Sequence, residues 1–285
     1  MIEFFHALWA PENAFLRMAV LSGLLASVAC GVMGSYVVSR RITYIAGGVA
    51  HSVLGGIGLA QFLALTRGWP WLHPMYGAVA AALAAALIIG MVTLRAKQRE
   101  DTVISAIWVI GMSMGILFIA KTPGYAVDLM SYLFGNILMV STAQVWLIAA
   151  ADAVILCVVC VAWKPLLAVC FDSEFARLRG VRADAYYLLL LCLTALTIVS
   201  LVSVVGIVLM IALLALPAAA AGHFAKTLWQ MMVLAVLFSA GLIVLGLAVS
   251  YALDFPAGST IAVTAGAFYL VVSAGARLVA GRARG

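Results

Sequence analysis

Charge is scarce in this chain. Of 285 residues, only 9% are Asp, Glu, Lys or Arg, against about 25% in a soluble domain. That shortage excludes an ordinary soluble globule and a disordered chain, both of which need far more polar surface. Cysteine is also sparse, and odd in number. The five thiols (Cys30, Cys157, Cys160, Cys170 and Cys192) lie mostly inside apolar runs, which excludes a secreted disulfide scaffold. Within the spans, Cys157 and Cys160 read as small core-filling residues rather than a redox pair. There is no G-x-x-x-x-G-K-[ST], no glycine-rich dinucleotide fingerprint and no H-E-x-x-H. So few polar residues supply no Ser–His–Asp or Cys–His set either, and the chain reads as a non-enzyme. Any ATP hydrolysis it depends on belongs to a separate subunit. A basic n-region is missing too, because Glu3 and Glu12 stand near the start; a cleavable signal peptide is not expected.

What is present is apolar. Hydrophobic residues make up 67% of the chain, and the mean hydropathy is +1.22. At about 20 residues per crossing this suffices for eight or nine transmembrane helices. The apolar runs are continuous, without the alternation of a membrane β-barrel. The expected fold is therefore an all-α polytopic membrane bundle, a single transmembrane domain over residues 1–285. Nine segments are expected at 14–39, 44–65, 74–94, 102–120, 144–163, 185–204, 206–222, 228–250 and 260–280. Gly206 is the only break between the sixth and seventh, so one of them could be a broken or re-entrant helix. Pro217 is expected to break or kink the seventh and free backbone carbonyls.

The net charge of +6 follows the membrane rather than a nucleic acid, since no basic–aromatic interleaving accompanies it. Thirteen basic residues fall in one set of loops: Arg40, Arg41, Arg95, Lys97, Arg99, Lys164, Arg177, Arg179, Arg182, Lys226, Arg277, Arg282 and Arg284. Only Arg17, Arg67 and Lys121 fall in the other. By the positive-inside rule the first set is cytoplasmic, the N-terminus is outside and, with nine crossings, the C-terminus is inside. Trp69, Trp71, Tyr76, Tyr125, Tyr132, Trp163, Trp229 and Tyr251 fall near the expected interfaces.

Polar residues at membrane depth are costly and mark function more often than surface ones do. His51 lies two turns into the second span and shares one helical face with Gly47, Gly55 and Gly58. Those neighbours offer no side chains, which leaves room for an ion, a water or a close partner helix. A second stripe, Gly48, Ser52, Gly56 and Ala60, has the small-xxx-small pattern of tight helix packing. His51 is thus either a packing residue or a nitrogen ligand for a borderline metal such as Zn²⁺, Mn²⁺ or Fe²⁺. Asp152, inside the fifth span, serves either an ion pathway or a structural hydrogen bond. Asp254, in Ser250-Tyr-Ala-Leu-Asp254-Phe-Pro256, reads as a turn or cap residue, or as part of an outer mouth. Asn136 is at the same outer face and can supply one carbonyl oxygen.

One cytoplasmic loop has its own pattern. Residues 171–181 read as a short helix capped by Asp172 or Ser173, with Glu174 in the first turn. Arg177 and Arg179 suit the last turn, and Gly180 suits the position just past it. Phe171, Phe175 and Leu178 share one face. The segment is either a plug for a groove on a partner or an ordinary interfacial loop.

Five stretches, in order, carry a resemblance: Arg40-Arg41-Ile-Thr-Tyr with His51 following; Arg99-Glu100-Asp101-Thr102; Ser131-Tyr-Leu-Phe-Gly135; Phe171-Asp-Ser-Glu-Phe-Ala through Gly180-Val181; and Leu213 to Ala221 followed by Ser250-Tyr-Ala-Leu-Asp254. Over about residues 13–280 the chain resembles the membrane permease of the zinc/manganese/iron ABC importer family. The resemblance implies a homodimer with a central translocation path in a bacterial inner membrane. It implies two copies of a cytosolic ATP-binding subunit and a periplasmic or lipid-anchored metal-binding protein that delivers the ion. No permanently bound cofactor is implied; a divalent metal is the cargo and ATP sits on the partner. Residues 172–180 match the family's coupling helix, and His51 matches a histidine placed near a metal site. Many relatives carry Asp where this chain has Gly47, and Asp where it has Asn136. Losing two carboxylates favours nitrogen-tolerant Zn²⁺ over Mn²⁺. Manganese or iron import by the same architecture, and a stand-alone secondary transporter relaying ions through Asp152 and His51, are the alternatives.

Overall fold

The structure, a computed structural model, describes residues 2–9, 13–69, 71–95, 100–122 and 133–282. Lys97, Arg99, Tyr125, Ser131, Tyr132 and Arg284, on which parts of the sequence reading fall, lie outside the described residues. No strand occurs among the described residues. The helices are α1 (Ile2–Trp9), α2 (Ala14–Ser39), α3 (Thr43–Thr66), α4 (Pro74–Arg95), α5 (Glu100–Lys121), α6 (Thr142–Val161), α7 (Trp163–Phe171), α8 (Ser173–Leu178), α9 (Ala183–Val205), α10 (Ile207–Ala221), α11 (Leu228–Leu253) and α12 (Ala257–Arg282).

Eight of these are long and apolar enough to cross a membrane. The eight coincide with the expected segments to within three residues at nearly every end, because an uninterrupted apolar run of span length has few other ways to satisfy its backbone in lipid. The ninth segment, α10, is distinct. It has 15 residues, about 22 Å at 1.5 Å per residue, short of the roughly 30 Å hydrocarbon core. Gly206 separates it from α9 with φ +78°, a left-handed conformation that glycine adopts without a Cβ penalty. Pro217 does not break α10. The helix continues through Ala221 with Pro217 buried inside it, although the missing N–H leaves the Leu213 carbonyl without its helical partner.

The helices form two compact units. The first comprises residues 1–38, 133–154 and 203–285. Its core is built on close approaches to α2: a Cβ at Gly34 would collide with the Leu214 carbonyl, and one at Gly31 with the backbone of Val236. The 133–136 segment packs into the α9–α10 break. Gly135, also left-handed at φ +72°, has the carbonyl of Val205 against the place where a Cβ would project.

The second unit comprises residues 39–132 and 155–202. Here α3 lies against both α4 and α5, and its small residues make close approaches to each. Gly56 and Ala60 meet Gly77 of α4, where a Cβ on either glycine would overlap the other's backbone carbonyl. Gly55 and Gly58 meet the backbones of Gly111 and Gly115 on α5, at 2.7 and 2.6 Å from a built Cβ. Tyr44 and Ser105 join the same two helices through their hydroxyls at 2.5 Å. The expected core-filling role of Cys157 and Cys160 is not met: both are exposed on α6. A span is apolar all round, so its sequence does not mark which face turns inward.

Candidate functional site

The α3 face that carries Gly47, Gly55 and Gly58 positions His51. The imidazole is half-buried, and its Nδ1 is buried with no hydrogen-bond partner among the described residues. The space beside it, left empty by the glycines, is occupied by α5. Trp108 stacks flat on the ring, with centroids 4.3 Å apart and planes 14° apart. Gly47 makes this possible, because a Cβ there would stand 3.2 Å from the Trp108 ring. The arrangement holds the imidazole by its face and leaves a ring nitrogen unused, with an aromatic surface that favours a cation nearby. Sequence reasoning did not single out Trp108; the Gly111-x-x-x-Gly115 pair following it was the available signal that α5 approaches closely.

The other sequence-flagged residues belong to the first unit. Asp152 on α6 is 5% exposed, and neither carboxylate oxygen has a hydrogen-bond partner among the described residues. A buried carboxylate at membrane depth is costly, which keeps Asp152 a candidate for an ion pathway. The buried Cys30 of α2 lies within its electrostatic range. Asn136 is exposed and precedes the 3-10 turn Ile137–Met139, its backbone carbonyl accepting from the Met139 N–H at 3.0 Å. Asp254 caps α11 in the left-handed conformation, φ +54°. It is exposed, and the turn around it is held by the Ser250 hydroxyl donating to the Phe255 carbonyl at 2.6 Å. No group of three or more His, Cys, Asp or Glu able to hold a metal occurs among the described residues. The fold supplies isolated donors rather than a closed cage.

Outside the spans, α8 has the local structure its sequence calls for. Asp172 is the N-cap, accepting from the N–H groups of Glu174 at 3.1 Å and Phe175 at 2.9 Å. Gly180 follows the helix with φ +77°, and the Val181 N–H returns to the Ala176 carbonyl at 3.0 Å. Arg177 is tied to Asp184 of α9 at 2.5 Å, and the Arg179 guanidinium lies 4.9 Å from the Phe175 ring centre. A helix of six residues does not persist alone in water. Here both ends are capped, and Ala176 is buried beneath it. The apolar ridge is uncovered: Phe171 is 67%, Phe175 50% and Leu178 87% exposed. Behind it, burial pushes the Cys170 thiol up to about 11, against the opposing pull of Arg40. It stays a neutral thiol near pH 7.

The chain matches the model of the ABC 3 transport family over residues 12–276. It belongs to that family. It is 38% identical, over 94% of its length and 90% of the relative's, to a probable metal transport system membrane protein of Chlamydia muridarum. It is 30% identical to the manganese import system permease protein ScaB of Streptococcus parasanguinis, covering 90% of this chain and 89% of that one. Among solved structures, PsaBC from Streptococcus pneumoniae in complex with Fab superposes with a TM-score of 0.83 at 31% identity, over 95% of each chain. As a member of the family, this chain is its membrane-spanning permease, with eight helices of span length among the described residues.

Proposed function

We propose that the chain is the permease subunit of an ATP-driven importer of a divalent first-row metal, with α8 as the element that couples it to a cytosolic ATPase. The exposed Phe175 and Leu178 of a doubly capped helix, with the exposed Phe171 just before its N-cap, carry this reading. Three large apolar side chains facing water are a docking ridge waiting for a groove. Together with the ridge, Asp172, Glu174, Arg177 and Gly180 set its shape. Two copies of the ATPase, a homodimeric permease and a delivering metal-binding protein complete the assembly.

Orientation rests on the thirteen-to-three distribution of Lys and Arg, which puts α8 in the cytoplasm and the N-terminus outside. That distribution needs an odd number of crossings, so α10 counts as the ninth.

The pathway residues are His51, with Asp152, Asn136 and Asp254 as further candidates. Zinc is the favoured cargo, because His51 carries an imidazole nitrogen and positions 47 and 136 are a glycine and an amide rather than carboxylates. Manganese prefers more carboxylate oxygen. Manganese is the second reading, favoured because the relatives named for one metal are manganese importers. Sparse donors suit a transit site, since an ion held tightly leaves slowly.

The test is uptake of Zn²⁺, Mn²⁺ and Fe²⁺ into proteoliposomes holding the permease, its ATPase and its binding protein, for wild type and His51→Ala. ATP-dependent zinc uptake that falls at least about tenfold in the variant, one lost ligand's worth, supports zinc and puts His51 on the path. Manganese uptake with the same loss favours the second reading. Full uptake in the variant removes His51 from the path.

A further inference from the structure

Beside α8 the second unit contains a polar cleft of 290 Å³. It is formed where the α2–α3 turn, the end of α4 and the starts of α8 and α9 come together. Three guanidiniums line it, those of Arg40, Arg41 and Arg177, against one carboxylate, Asp184. Arg177 and Asp184 satisfy each other. Arg40 is half-buried and lies over the Tyr187 ring, 5.5 Å from its centre. Neither it nor Arg41 has a carboxylate within ion-pair distance among the described residues. A cleft holding two uncompensated cations, one of them partly desolvated, calls for an anion from outside.

Two further observations sharpen the class of anion. Arg41 sits at φ +61°, a left-handed conformation that an L side chain adopts only at a cost and that tends to be kept where it serves a site. Thr93, on the cleft wall, has a buried hydroxyl with no hydrogen-bond partner among the described residues. Buried hydroxyls are rarely left unpaired without a reason. Two guanidinium forks and a hydroxyl on different walls match a tetrahedral oxyanion better than a planar carboxylate.

We propose that this cleft is a phosphate-binding site, its ligand a phosphate group on an anionic phospholipid of the adjoining leaflet or on a small solute. The cleft stands at the ends of membrane-spanning helices, the depth of lipid headgroups, where basic pockets between helices collect anionic lipids. The proposal rests on the orientation given above only for which leaflet supplies the lipid, and it is independent of the cargo.

The experiment uses the full chain in nanodiscs of phosphatidylcholine with or without phosphatidylglycerol, with lipid retained after detergent extraction counted by native mass spectrometry. A parallel arm follows the thermal midpoint against inorganic phosphate. The variants are Arg40→Gln with Arg41→Gln, Thr93→Val alone, and Arg277→Gln as an exposed basic residue elsewhere. All are compared only when their gel-filtration profiles match wild type. The expected result is selective retention of phosphatidylglycerol that falls at least about tenfold in the double variant, as two charge-assisted contacts require. A smaller fall in Thr93→Val and no change in Arg277→Gln complete it. Stabilisation by inorganic phosphate that the same variants abolish supports the site with a soluble ligand. Equal retention in all variants and no phosphate effect overturns the proposal. So does an equal loss in Arg277→Gln, or a loss confined to ATPase association, which would make the occupant a protein carboxylate. Thr93→Val removes one hydroxyl with little change of shape, so the proposal stays testable if the double variant fails to fold.

Discussion

Helices α3 and α8 use opposite means to present a functional surface. On α3 the sequence removes side chains: Gly47, Gly55, Gly56 and Gly58 bring backbones of α4 and α5 into contact, and His51 is left pinned under Trp108. On α8 the sequence adds them: Phe175 and Leu178 stand in the open on six residues held at both ends by caps, with Phe171 from the end of α7 beside them in sequence. In lipid, apolar side chains gain nothing from meeting one another, so helices associate through close backbone packing. In water a bare apolar ridge is a liability unless a partner covers it. The contrast separates a region that is internal and fixed from an exposed one that we propose docks a partner.

The comparison can be broken most forcefully on α3. Gly56→Leu would drive a side chain into the Gly77 carbonyl. A rigid backbone contact cannot yield as a flexible side chain can, so a loss of about 3 kcal/mol or more is expected. It should be visible as lost monodisperse protein on gel filtration and a large drop in thermal midpoint. On α8, Phe175→Ala with Leu178→Ala should leave that midpoint within a degree or two, since both side chains are exposed. Affinity for the ATPase subunit should fall by about 2–4 kcal/mol, as for central anchors of an interface, read by pull-down and by surface plasmon resonance. Asp172→Ala keeps the ridge but removes the cap. It should cost about 1 kcal/mol of local helix stability, appearing as faster amide exchange at Glu174 and Phe175 and a several-fold weaker ATPase association. Gly180→Ala is milder still. No atom stands near the new Cβ, and the φ of +77° alone should cost about 1 kcal/mol, seen in the same exchange experiment.

The two helices were also unequally legible in the sequence. For α8 every determinant is local: Asp172, Glu174 and Gly180 lie within nine residues, and hydrogen bonds between near neighbours follow from residue type. The spans were legible for a similar reason, since length and hydropathy suffice. Partners and faces were not. The glycine stripes of α3 announced close packing but not against which helices. Trp108 was passed over because a tryptophan in an apolar run looks the same whether it faces lipid or an imidazole. Cys157 and Cys160 were placed inward and are exposed, because lipid and core are equally apolar and no amphipathic stripe separates them. Pro217 is expected to break or kink α10 and free carbonyls; the helix runs on through Ala221, and the freed Leu213 carbonyl is the part that follows from residue type. The isolation of Asp152 from any hydrogen-bond partner among the described residues was likewise invisible, since it depends on what neighbouring helices do not offer.

The central claim is that this chain moves a metal only when a separate ATPase acts through α8. Its most direct test is metal flux into proteoliposomes containing the permease alone, the permease with its ATPase, and the complex carrying Phe175→Ala with Leu178→Ala. The account predicts no flux from the permease alone under a metal or proton gradient, ATP-dependent flux from the complex, and its loss in the double variant. Gradient-driven metal flux through the permease alone would contradict it, and would make the chain a secondary transporter.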